Sequence, residues 1–515
     1  MSFFVRIKQL ASETAVYGVA SIVGRMIGYA LFPVYSHVFL PDEYGIVSVV
    51  YTAFIFLNVL YQYGMEAAYM KFAADRAPEE RGTTFSTAMG SLFGTSVMLS
   101  AAMLVARRPV GAVVGLEADW LFLLYYAALI LVLDTLAVVP FAELRLQNRP
   151  WRFASIRLAS AVVNVGMNLW LIFGLRMGIE AVFLANVVSS ATALLLLAPT
   201  FVGSLRLRFD RALWRRMLGF ALPFVPGGLG YAVTERVNIF FLESMPPHRV
   251  LALYGDRLSP ETLAALAAAP EGAYGDYVVG VFSGCLKLAV FMMLVTQMFR
   301  YAWQPFFLQH ARDPDARPLF ARVFTLYTAV GLFVFLGVSF FAQELVAFPL
   351  PGGRRLVAES YWLGLFIVPP ALLGYVFQGW YYNFSAGAYI EKQTKYFIHC
   401  TAAGSAAAVG LNLWLVPRYG MLAAAWATTL SYAIMALMLY FIVRRFYPTP
   451  YAWRPVLGMG ALAATLFFLW DAVPGLRHWW AEALLLGGYL VGLLALRIVS
   501  PEAARRVFTR SARRG

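Results

Sequence analysis

Residues 15 to 40 read AVYGVASIVGRMIGYALFPVYSHVFL, a run with no Asp, Glu or Lys and one arginine, Arg25. The apolar core of a bilayer needs roughly 20 helical residues to cross, so this run is long enough. Similar runs recur near residues 44–65, 83–106, 119–141, 153–175, 178–202, 217–242, 277–299, 323–342, 361–385, 396–416, 419–443, 455–471 and 479–496. Lipid offers no partner for backbone polar groups, so spanning segments are helices or closed barrels, and runs of this length are helices. Charged residues make up 13% of the chain, against roughly 25% in soluble domains. The chain therefore reads as an all-α polytopic membrane protein of about 14 transmembrane helices. The first run is too long for a cleavable signal peptide and lacks a small-residue cleavage site after it, so it reads as a signal anchor.

Short cytoplasmic loops retain Lys and Arg, which gives an independent check on the spans. With the N-terminus inside, inward segments carry 28 of the 41 Lys and Arg and outward loops carry 9. The remaining four, Arg25, Arg157, Arg236 and Lys287, fall inside proposed spans. Both termini are expected in the cytoplasm. The net charge of +14 follows from this bias and from attraction to anionic headgroups, so no nucleic-acid partner is expected. The tail RIVSPEAARRVFTRSARRG reads as a basic juxtamembrane segment.

Cys285 and Cys400 have no CxxC spacing and suggest neither a disulfide framework nor a metal site. No HExxH or GxxxxGK[ST] occurs and the five histidines are scattered. An enzyme is not expected, nor a cofactor. Work done by this chain would draw on the membrane potential or an H+ or Na+ gradient.

The sequence also repeats. NVGMNLWLIFGLRMGIEAVFLANVVSS at 164–190 and AVGLNLWLVPRYGMLAAAWATTLS at 408–431 share GxNLWL, pairing Asn168 and Trp170 with Asn412 and Trp414. Gly178, Ala181 and Ala185 then pair with Gly420, Ala423 and Ala427. Each hairpin is the fifth and sixth span of a set of six. Two pseudo-symmetric six-helix lobes are expected, at 1–205 and 206–448, followed by a C-terminal helical pair with the basic tail at 449–515. Residues 243–276 form an outward loop in the second lobe, with a short helix near 259–269. Parallel repeats of this kind are a transporter design, with the substrate site between the halves.

LPDEYGIVSVVYT at 40–52, YGMEAAYMKFAADR at 63–76 and FAELRLQNRPWRFASIRL at 141–158 resemble, in order and spacing, the polysaccharide and oligosaccharide-lipid flippases of the multidrug/oligosaccharidyl-lipid/polysaccharide exporter superfamily. The resemblance implies a flippase moving undecaprenyl-pyrophosphate-linked oligosaccharide across the bacterial cytoplasmic (inner) membrane by alternating access. The cargo would be an O-antigen, capsule or exopolysaccharide repeat unit. Expected partners are membrane lipids, a polysaccharide polymerase and glycosyltransferases. A peptidoglycan-precursor flippase, or a cation-coupled multidrug exporter of the same superfamily, is the alternative.

A pyrophosphate crossing hydrocarbon calls for fixed cations, and a deep guanidinium costs at least ~2.5 kcal/mol to insert. Arg25, with Tyr29 one turn away, Arg236 and Lys287 are the substrate-binding candidates. Arg157, nearer the membrane surface, is expected to snorkel. Asp134, Glu235 and Glu66 are candidates for ion coupling, since buried carboxylates can carry a proton or bind a cation; Glu66 has a plainer reading as a partner of Lys71. Glu235 and Arg236, adjacent on a helix, are expected to point apart. Gln378, Trp380 and Tyr381 suit stacking on sugar rings, against an ordinary role as interface anchors, which is also the expectation for YAWQPFF at 301–307.

Overall fold

The computed structural model describes residues 29–495 except 75, 77 and 207, with the backbone alone at 78–80. Arg25 and the basic tail lie outside the described residues. Within them the chain is helical throughout, and the one pairing of extended backbone is an isolated bridge between Pro349 and Arg355.

Among the described residues, 11 helices are long and apolar enough to cross a membrane, and Trp479–Ala495 is a shorter apolar one. Every span expected after the first falls on a helix. Of the first, only the end is described, as Phe32–Val38. Two expected spans, 396–416 and 419–443, lie in one helical stretch, Tyr396–Val443. It breaks at Gly420, whose φ of 56° and ψ of −130° are open to glycine and strained for other residues. Tyr254 secures the break, its Oη accepting the Met421 N–H at 2.8 Å. The stretch 243–276 holds the expected short helix at Pro260–Ala268, capped by Ser259, and another at Pro247–Tyr254.

Helix starts follow local chemistry. Pro41–Gln62 begins with proline, whose missing N–H costs nothing there, and Glu43 accepts the Leu40 N–H at 3.0 Å. Gly45, in the same PDEYG stretch, meets the Asp276 carbonyl where any Cβ would sit, so small residues let this helix pack closely on Ala273–Leu286. At the other end the chain turns at Tyr63 and Gly64, both at positive φ, and restarts as Met65–Ala74.

Packing divides the chain into two units: Met1–Ser283 with Ala408–Ala424, and Gly284–Ala407 with Ala425–Gly515. These boundaries differ from 205/206 because the expected seventh span, divided into Arg211–Ala221 and Phe224–Glu243, packs within the first unit, where Phe224–Glu243 lies on Pro41–Gln62. In that unit Leu123–Leu146, Pro150–Leu169 and Glu180–Ser204 form a tight set. In the second, Ala316–Phe340 packs on Val368–Ile390, Trp453–Ala472 and Trp479–Ala495. Its centre is Phe324, enclosed by Trp380, Phe384, Tyr451 and Trp453 with ring centroids 5.0–5.6 Å away.

The repeated GxNLWL looks alike in its two copies. Asn168 and Asn412 are both buried, and each donates its amide back to the carbonyl four residues earlier, at 2.8 and 2.7 Å. Trp170 and Trp414 are both exposed. The first copy adds a bond from Tyr35 Oη to Asn168 Oδ1 at 2.8 Å and one from Asn168 Nδ2 to Asn164 Oδ1 at 3.2 Å.

Candidate functional site

In the first unit a string of polar side chains links the deep charges. It starts on Phe224–Glu243, where the Arg236 guanidinium lies 3.9 Å from the Glu235 carboxylate. Their side chains are 24% and 23% exposed. Adjacent helical residues diverge by about 100°, yet the long arginine reaches its neighbour, so the expectation that the two point fully apart is corrected. The contact is too long for a hydrogen bond and is held by charge.

Tyr44, buried on Pro41–Gln62, lies in the electrostatic range of Arg236, Tyr29 and Tyr51. Two turns on, Tyr51 accepts an amide N–H from Asn186 at 3.0 Å and stacks on Phe183. Tyr51 in turn lies in the range of Asp134. Asp134, half-buried on Leu123–Leu146, accepts the Ser190 hydroxyl at 2.6 Å and feels the Arg157 charge. Arg157 is exposed and lies over the Phe141 ring at 4.0 Å. Tyr29, Arg236, Glu235 and Asp134 all belong to the first unit. Tyr44, Tyr51, Asn186 and Ser190, which join them, went unnoticed in the sequence because tyrosine and serine are unremarkable within spans.

Glu66 belongs to a different cluster at the end of the same unit. It pairs with Arg145, not Lys71; Lys71 instead lies over the Phe220 ring at 3.9 Å. The reason is the turn at Tyr63–Gly64, which aims the first turn of Met65–Ala74 at the end of Leu123–Leu146. Beside it the buried Glu143 carboxylate accepts from the Tyr69 hydroxyl and from Gln147 at 2.7 Å. Two of the quoted sequence segments, YGMEAAYMKF and FAELRLQNRP, therefore meet through these side chains. Glu143 was missed because acids near span ends are common. Outside the spans, Asp210 accepts N–H groups of Ala212 and Leu213 at 2.8 and 2.9 Å. The Leu213 bond, first among several, holds its carboxyl below the usual carboxylate range.

The remaining candidates lie in the second unit. Lys287 opens a short 3-10 segment, Lys287–Ala289, between Ala273–Leu286 and Val290–His310, so this cation marks a change in helix winding. Gln378 is buried, and Trp380 donates its indole N–H to Thr328 at 3.0 Å within the Phe324 cluster. Tyr381 faces Phe397. Trp303 of YAWQPFF is 3% exposed and donates to the Tyr382 carbonyl at 3.0 Å. Gln378 and Trp303 are buried, while Trp380 and Tyr381 are half-buried. Both cysteines are buried thiols.

The fold matches solved transporters along most of its length. The lipid II flippase MurJ in an inward closed conformation superposes with a TM-score of 0.71 at 14% identity, covering 94% of this chain and 99% of that one. The chain shares the fold of that transporter. An inward-facing MATE multidrug resistance transporter of the MOP superfamily gives 0.57 at 13% identity, covering 84% and 94%. A MOP-superfamily transporter from Pyrococcus furiosus, described as having a binding pocket of reversed polarity, gives 0.54 at 14%, covering 84% and 95%. Residues 34–258 match the model of a polysaccharide biosynthesis protein family. No curated protein matches in sequence. With 11 helices long and apolar enough to cross a membrane among its described residues, this transporter-like fold is that of a multi-pass membrane protein.

Proposed function

We propose that this chain flips undecaprenyl-pyrophosphate-linked oligosaccharide, an O-antigen, capsule or exopolysaccharide repeat unit, across the bacterial cytoplasmic membrane by alternating access. The match over residues 34–258 supports a cargo from polysaccharide assembly. The observation that carries the reading is the half-buried Arg236 within the polar string of the first unit. A guanidinium matches phosphate oxygens bidentately, and a half-exposed one is open to an anion. Arg25, four positions before Tyr29 in the sequence, is the second cation assigned to the cargo. Asp134 and Glu235 take the coupling ion, an H+ or Na+ moved down its gradient. The likeness to the lipid II flippase favours, as a second reading, a peptidoglycan precursor as cargo.

Both termini face the cytoplasm. Cysteines placed at Arg211 and Arg317 should resist a membrane-impermeant reagent added from the periplasm, and ready labelling would reverse this orientation. The function is tested in proteoliposomes holding fluorescent undecaprenyl-pyrophosphate-linked oligosaccharide or lipid II. Faster movement of the first cargo between leaflets supports the proposal, preference for lipid II selects the second reading, and indifference to both removes the class. Asp134→Asn should abolish gradient stimulation of flipping while cargo binding stays within about twofold, since a single neutral exchange leaves the Ser190 partner in place. Unchanged stimulation would remove Asp134 from coupling.

A further inference from the structure

Between two spans of the first unit, a pair of adjacent arginines stands against the charge bias of the chain. Arg107 and Arg108 open the short helix Arg107–Val114, which lies between Pro78–Val105 and Leu123–Leu146. In the orientation proposed above this connector faces outward, where the loops hold only 9 of the 41 Lys and Arg. Insertion favours basic residues on the opposite side, so a pair of them here needs a separate reason.

Both arginines are exposed and line a cleft of about 500 Å³, together with Leu104, Val105, Pro109 and Tyr125. Arg107 Nη1 donates to the Tyr125 hydroxyl at 3.0 Å. A phenol that accepts one bond still has its own O–H to give. The rest of the Arg107 fork, the Arg108 guanidinium and that O–H thus supply donors to one opening. Among the described residues neither arginine is in an ion pair. Glu117, in the same connector, has its carboxylate against Gly272, and neither it nor Asp119 lines the cleft. Gly111, buried where a Cβ would meet Leu121, lets the short helix pack closely on the start of the next span.

The cleft continues into an apolar face. Phe93, Val97, Ala101 and Val105 recur every four residues along Pro78–Val105 and all are exposed, while Leu92 and Ser96 on its other side are buried. On the neighbouring helix Tyr125 and Leu129, also four apart, are exposed. The Ser100 hydroxyl donates to the Ala128 carbonyl at 3.5 Å, which sets the two helices in register. From Phe93 to Val105 the face rises about 18 Å at 1.5 Å per residue, close to the roughly 15 Å of one leaflet, half the hydrocarbon core.

Arginine forks match phosphate oxygens. We propose that Arg107, Arg108 and Tyr125 bind the phosphate of an anionic phospholipid such as phosphatidylglycerol, whose acyl chains lie along the exposed face of Pro78–Val105. The occupant is a bilayer phospholipid because the apolar face is one leaflet long and ends at the cations. A zwitterionic headgroup carries an ammonium beside its phosphate and offers the arginine pair no net charge. This inference does not depend on the cargo proposed above.

The test uses the full purified chain in phosphatidylcholine nanodiscs, with a bimane fluorophore attached at Val105→Cys; both native cysteines are buried. Brominated acyl chains quench the fluorophore on contact. At equal mole fraction, brominated phosphatidylglycerol should quench more than brominated phosphatidylethanolamine. One cation near an anionic membrane surface is worth about fivefold in binding, so Arg107→Ala with Arg108→Ala should weaken the phosphatidylglycerol preference by about 30-fold. Arg108→Glu, which leaves the bond from Arg107 to Tyr125 in place, makes the same comparison if the double variant does not fold. A fluorophore at Leu195→Cys, exposed on Glu180–Ser204 of the same unit, should show no preference. Equal quenching by the two lipids at Val105, a preference that survives the arginine variants, or the same preference at Leu195 overturns the proposal. So does loss of the preference to inorganic phosphate but not to chloride of equal ionic strength, which would make this a free-anion site. Displacement by undecaprenyl phosphate at a lower concentration than by unbrominated phosphatidylglycerol overturns it in favour of the carrier lipid.

Discussion

In the unit built from Met1–Ser283 and Ala408–Ala424, polar groups follow one another from Arg236 through Tyr44 and Tyr51 to Asp134 and Ser190. In the other unit rings gather around Phe324, and even the indole N–H of Trp380 is spent on Thr328. The contrast shows two uses of tyrosine and tryptophan inside a membrane protein. Where rings touch rings at 5–6 Å, an aromatic residue packs. Where tyrosines stand between charges and amides, they join polar groups that hydrocarbon would isolate. A residue can bind cargo only if its neighbours leave part of it unengaged, and on that ground the first unit is the better place to look.

The largest effect expected from this contrast is structural. Trp380→Ala removes a ring in contact with Phe324, Phe377 and Trp453 and should cost about 3–5 kcal/mol of stability. Flipping per folded molecule should stay near wild type. A stable Trp380→Ala protein with weakened cargo binding would break the comparison and return this residue to the sugar site. A smaller effect is expected in the polar unit. Tyr51→Phe deletes the hydroxyl that accepts from Asn186 and should cost about 1 kcal/mol, the usual net worth of such a bond. Calorimetry or a thermal-shift series would show it. A loss as large as that of Trp380→Ala would mean that this tyrosine packs as the rings of the other unit do.

The smallest expected change lies at a helix start outside the spans. Asp210, held below the usual carboxylate range chiefly by the Leu213 N–H, contributes stability present above the unfolded carboxylate range. That contribution is lost as pH falls through the lowered value. Asp210→Asn keeps the cap geometry without the titration, so its thermal midpoint should fall less than wild type on acidification. Parallel curves would show that the cap does not contribute to the acid response.

Much of this was legible in advance. Apolar run length places the spans, because hydrocarbon thickness sets one length for all of them. The deep charges were visible as interruptions, and two of the named residues, Arg236 and Glu235, lie 3.9 Å apart. What failed was tertiary. Glu66 meets Arg145, 79 positions away, because a turn at positive φ redirects a helix, and no local spacing reports that. Gly420 replaced an expected loop because one residue at φ 56° is enough to break the helix there. For Trp380 and Trp303 the sequence could not report the ring contacts, because a belt residue and a packed residue share one alphabet. Only their contacts tell them apart. The polar string was hidden for the opposite reason, since its connecting members carry no charge.

The central claim is that Arg236 serves an anionic cargo and is not there to neutralise Glu235. The direct measurement compares flipping of undecaprenyl-pyrophosphate-linked oligosaccharide in proteoliposomes for wild type, Arg236→Ala and Arg236→Ala with Glu235→Gln, each with its thermal midpoint. A hydrogen bond to a charged group contributes about 1.5–3 kcal/mol, so Arg236→Ala should slow flipping by about 10–100-fold. The double variant should stay as slow while keeping a wild-type thermal midpoint. A double variant that recovers both stability and flipping would contradict the account and reduce Arg236 to the counter-charge of its neighbour.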